Sequence, residues 1–264
     1  MPSASPPRSL LLVWDGPRPA PDWPAPLVGL PWLGGLLDQS AWAGFAGLEP
    51  DFAWGARLAR LWPRLGEAGL TAGALNLPGL WPPPAGPGWC LPCPPPGAAR
   101  PQTPYLAHPP ELSPQNADLA AGLAWFAARR PIRPQERDSR FAEVAACACL
   151  VQEHAERLAA DRPVAWLGVG YAGLDEVCHL FAGLDRLRPR LLMEQLDAYA
   201  GQLAARQRAE AVVLLAGAAG ALFWAPGRLR PGALAGITPD EAIILLAGLA
   251  GLSPIPDPLR PLED

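Results

Sequence analysis

Charge is scarce in this sequence: 17% of its 264 residues are Asp, Glu, Lys or Arg, against about 25% in an ordinary soluble domain. Acidic side chains outnumber basic ones, 25 to 21, which leaves a net charge of -4. A chain with that balance has no general attraction for a phosphate backbone, so nucleic acid is not an expected partner. Long apolar runs are missing too. The stretches near 211–225 and 242–252 are broken by Gly and Pro and fall short of the roughly 20 residues a membrane span needs. Met1 to Arg8 has Pro and Ser in place of a basic start, and the apolar run Leu10 to Trp14 ends at Asp15, too short for a signal-peptide core. The expectation is a cytoplasmic protein with no membrane span. Cysteines 90, 93, 147, 149 and 178 make an odd set, which argues for reduced thiols over a disulfide framework.

Apolar residues, at 50%, suffice for a sizeable core, while 36 Pro and 27 Gly indicate a loop-rich chain. Leu10 to Val13 is a continuous apolar run closing on Asp15-Gly16-Pro17, the pattern of a buried parallel strand that delivers an acid at its C-terminal end. Leu58, Leu61, Trp62 and Leu65 recur at helical spacing before Gly69, and the strand Ala72 to Leu77 follows. Residues 78 to 110 hold a dense Pro/Gly run with Trp81, Trp89, Cys90 and Cys93, read as an insertion loop without helix or central strand. Helical patterns cover Asn116 to Arg129 and Arg140 to Ala160. Val164 to Val169 reads as a strand, with a short helix from about Asp175 and a longer one from about Leu191 to Arg208. Strands Ala211 to Leu215 and Ala221 to Trp224 come next, and Thr238 to Glu241 opens a final helix. Such alternation predicts one α/β domain over 1–264, with a central, mostly parallel sheet and helices on both faces.

The most specific string is Gly173-Leu174-Asp175-Glu176-Val177-Cys178-His179, placed after a buried strand. Together with Trp14-Asp15-Gly16, Asn76-Leu77-Pro78, Trp81-Pro82-Pro83, Tyr105, Pro109-Pro110-Glu111-Leu112 and Phe223-Trp224-Ala225-Pro226-Gly227, it resembles the alkaline phosphatase superfamily in its type I phosphodiesterase and nucleotide pyrophosphatase branch. The resemblance runs in collinear order over nearly the whole chain. It implies a three-layer α/β/α fold and an ancestral site with two divalent metals, zinc or manganese, that activate a Thr or Ser nucleophile.

Asp15, Asp175 and His179 match metal-ligating positions of that family. The Ser-Asp-His-Gly motif expected after Ala211 to Leu215 reads Gly217-Ala218-Ala219-Gly220, and no histidine follows His179. The nucleophile position falls on Leu37 or Asp38 according to alignment, with Ser40 nearby and out of register. The resemblance therefore implies a degenerate member with vestigial or weak metal binding, inactive or impaired, retained to bind a protein or small molecule. The alternative is an active hydrolase that has rebuilt its site around Asp15, Asp175 and His179 with Asp38 or Ser40. Spacing alone equally allows Asp15 to be a turn cap and Asp175 with His179 to be an ordinary helix-start pair. Cys90 and Cys93 have C-x-x-C spacing without a second pair, and Cys147 and Cys149 read as small core residues. His108 and His154 read as solvated, as does the basic run Arg129, Arg130, Arg133. Trp54, Trp81 and Trp89 are candidate ligand anchors in or beside loops.

Overall fold

A computed structural model of the chain describes residues 8–14, 27–44, 55–77, 79–92, 106–115, 117, 119, 132–216, 220–233 and 239–252. Its eight strands are β1 (Ser9–Trp14), β2 (Ser40–Gly44), β3 (Ala72–Leu75), β4 (Gly88–Leu91), β5 (Trp166–Tyr171), β6 (Ala211–Ala216), β7 (Gly220–Trp224) and β8 (Gly232–Ala233). They form one sheet in the order β4-β3-β5-β1-β6-β7-β2-β8. From β4 to β6 every pairing is parallel, whereas β7 runs antiparallel to both β6 and β2. The sheet is therefore mixed. The reversal at β7 follows from chain length, since only three residues separate Ala216 from Gly220 and a parallel crossover needs a dozen or more.

The described helices are α1 (Leu33–Leu36), α2 (Gly55–Glu67), α3 (Arg137–Asp161), α4 (Leu174–Leu180), α5 (Leu187–Gln207) and α6 (Pro239–Leu249). β1 sits between β5 and β6 and is buried at all six positions, which is why it is apolar without alternation. Its side chains divide by parity. Leu10, Leu12 and Trp14 join a core with Val144, Ala148 and Val151 of α3, Val177 of α4 and Leu192 and Leu196 of α5. Leu11 and Val13 join a second core with Leu58, Leu61 and Leu65 of α2 and Leu245 and Leu246 of α6. Among the described residues no helix is long and apolar enough to cross a membrane.

α2 stops as its sequence suggests: Gly69 adopts φ 72° and Leu70 N donates to Leu65 O at 2.9 Å, a closing bond of the Schellman type. α1 is held differently. The Asp197 side chain on α5 is 1% exposed and accepts from Trp32 N at 2.8 Å and Leu33 N at 2.7 Å, so a buried acceptor satisfies orphan donors at a helix start.

Several sequence expectations are corrected. β2 lies where the sequence reading has no strand, β3 ends at Leu75, β5 ends at Tyr171 and α5 begins at Leu187. The stretch 78–110 contains β4, an edge strand whose Cys90 forms a bridge with His108. Trp89 is no ligand anchor, because it is 1% exposed and its Nε1 donates to Arg162 O at 3.0 Å. His108 is partly buried with Nε2 against Gly86 O at 2.7 Å. His154 is buried with Nδ1 at 2.9 Å from Leu150 O. Cys147 packs against the core, but Cys149 does not and its Sγ meets Glu153. Cys93, Arg129, Arg130, Trp54 and Thr238 lie outside the described residues, as does nearly all of the expected helix 116–129.

Burial raises the Cys90 thiol from its usual 9.0 to about 12. The unfolded chain releases that proton first, so the stability associated with the neutral thiol is complete below pH 9.0 and is lost between 9.0 and about 12. Denaturation of the wild type and Cys90→Ala from pH 8 to 10.5 should show the wild type losing ground above 9 by about 1.4 kcal/mol per pH unit. Parallel curves would mean that the thiol is solvated.

Candidate functional site

Register places the strand ends in rows. Trp14 pairs with Tyr171 on one side and Ala216 on the other, and Ala216 in turn pairs with Gly220, which faces Gly44. This row is the C-terminal edge of the parallel strands, the edge at which open α/β sheets bind ligands. The chain enters Asp15 directly after Trp14 and enters 217–219 directly after Ala216. Asp15 and 217–219 themselves lie outside the described residues.

Asp175 and His179 belong to α4, which starts three residues beyond the end of β5. Gly173 makes the turn possible, since it precedes the helix at φ 102°, a conformation costly to any residue with a Cβ. One helical turn then brings His179 Nε2 to 3.3 Å from Asp175 Oδ1, with the side chains 53% and 31% exposed. Two donors thus converge beside the end of β5, which neighbours β1.

The same registers separate Asp38 and Ser40 from that edge. Ser40 pairs with Trp224, and Trp224 with Val212 near the start of β6. This row and the Gly44 row are four residue steps apart along β2, about 13 Å at the usual strand rise. Ser40 is fully buried and its hydroxyl donates to Leu36 O at 2.7 Å. Asp38 lies in a 3-10 turn immediately before it. Neither side chain is brought to the end of the sheet that carries Asp175 and His179.

Two groups at the site had no assigned role in the sequence. Asn76, just past β3, adopts φ 54°, is 5% exposed and donates from Nδ2 to Gly170 O at 2.9 Å. Asn in the left-handed region at a strand end is a recognisable turn signal. Arg140 on α3 is 8% exposed and reaches Glu176, next to Asp175, through Nε at 2.7 Å and Nη2 at 3.0 Å. Its guanidinium is held above the usual arginine value, first by the Glu176 hydrogen bond, with burial opposing. No periodicity in the sequence marks that pair.

Among the described residues, no three His, Cys, Asp or Glu side chains gather as a set of metal donors, while zinc sites use three or four protein ligands. Asp175 and His179 supply two. No family model, no curated protein and no solved structure matches this chain.

Proposed function

We propose that the chain is a degenerate member of the alkaline phosphatase superfamily, of three-layer α/β/α type and resembling type I phosphodiesterases. In this reading phosphodiester hydrolysis is absent or severely impaired, and the C-terminal edge of the sheet serves to bind a protein or small-molecule partner in the cytoplasm. The observation that carries it is the placement of Asp175 and His179 on the helix following β5, beside the strand that leads into Asp15. The substitution of Ala218 and Ala219 for an acid and a histidine supports loss of function, because a methyl group cannot ligate. A divalent ion, zinc or manganese, would be held weakly by Asp175 and His179, with Asp15 at the second position. The rival reading needs a new nucleophile, and the burial of Ser40 at the other edge argues against it.

Titration calorimetry with zinc tests the alignment behind this proposal. Ala218→Asp with Ala219→His should bind zinc at least ten-fold more tightly than the wild type, about 1.4 kcal/mol. Unchanged affinity in a folded double variant would mean that 217–220 is not the lost ligand turn.

A further inference from the structure

We infer that Arg140 is a positioning residue whose fork on Glu176 sets the orientation of α4, and with it the direction of the Asp175–His179 pair. The inference takes from the proposed function only that this pair belongs to the site. Arg140 rises from the first turns of α3, and its side chain is 10% exposed. It bonds Glu176 through two nitrogens and Glu143 through Nη1 at 3.0 Å. Glu176 sits in the first turn of α4, directly after Asp175. A second tie acts at the other end of the helix, where Arg188 lies over the Phe181 ring at 5.0 Å and pairs with Asp185 and Asp138. Asp138 and Arg140 both come from the start of α3, so α3 holds α4 at its first turn directly and at its end through Arg188.

Stability alone does not explain such a pair. Replacing a largely desolvated ion pair with apolar side chains of similar size is often neutral or favourable, whereas a planar bidentate fork fixes an angle that apolar contact does not. α4 has only seven residues, too few to hold its direction without tertiary contacts.

The test is native-state amide hydrogen exchange on the full chain carrying Arg140→Met with Glu176→Met. The α4 amides should exchange at least ten-fold faster, while those of β5 and central α3 keep their rates and the global unfolding midpoint stays near that of the wild type. Arg140→Lys, which keeps the charge and loses the fork, should give an intermediate α4 rate and covers the case in which the double variant fails to fold. Unchanged α4 exchange in either folded variant would overturn the inference. So would a rise in α4 exchange matched by β5, which would make the pair a global stabiliser. Neither readout involves metal, so a failure here leaves the proposed function standing, and the reverse holds as well.

Discussion

Gly170→Ala is expected to lower the unfolding midpoint by about 10 °C, corresponding to a loss of roughly 3 kcal/mol at the upper end of overpacking costs. A Cβ built at this position would lie 2.3 Å from Asn76 O and 3.0 Å from Asn76 C. Both are backbone atoms, so no rotamer change relieves the contact. The same backbone is anchored by Asn76 Nδ2 on Gly170 O and by Asn76 N on Leu91 O at 2.8 Å. The chain leaving β3 therefore crosses β5 where β5 carries no side chain. Gly168 serves the same crossing two residues earlier, since its Cβ would meet Leu77 Cδ1 at 2.6 Å and the Trp166 ring at 2.9 and 3.0 Å, although these are side-chain atoms and not backbone. Gly168→Ala should thus cost clearly less than Gly170→Ala. Equal, small losses in thermal denaturation would mean that the crossing is looser than the structure has it.

That contrast shows where the sequence is readable. β1 and β6 stand out because burial on both faces demands unbroken apolar runs. α2 stands out because its apolar residues keep helical spacing up to Gly69. The two glycines of Trp166–Tyr171 share one face of a strand, a signal of close backbone approach, but only the structure shows that Asn76 is what approaches. β4 was hidden by its surroundings, four residues amid Pro and Gly whose pairing depends on β3. β2 is short and rich in small residues, and its place between β7 and β8 comes from tertiary pairing.

The site divides the same way. The one-turn spacing of Asp175 and His179 was legible because a carboxylate and an imidazole at i and i+4, after a buried strand, make a local pattern. Arg140 was not, since its partner is 36 residues away and nothing in α3 marks one arginine as buried among several exposed charges. Ser40 was drawn toward the site by nearness in sequence to an aligned segment. The register of β2 on β7 places it at the opposite edge, because strand direction and not sequence distance decides which end of a sheet a residue reaches.

The most direct test of the central claim is turnover of a chromogenic phosphodiester by the full chain with excess zinc or manganese, beside Asp175→Ala and a blank of metal alone. Catalysis by a bound metal needs that ion fixed against the attacking and leaving oxygens. Asp175 and His179 are two donors where catalytic zinc uses three. In the proposed alignment Ala218 and Ala219 stand where the phosphodiesterases that the sequence resembles have two more ligands, and Ser40, the candidate nucleophile, is buried at the far edge. The expected result is no rate above the blank for either protein at any metal concentration. Metal-dependent turnover by the wild type that Asp175→Ala abolishes would contradict the proposal and establish a working hydrolase.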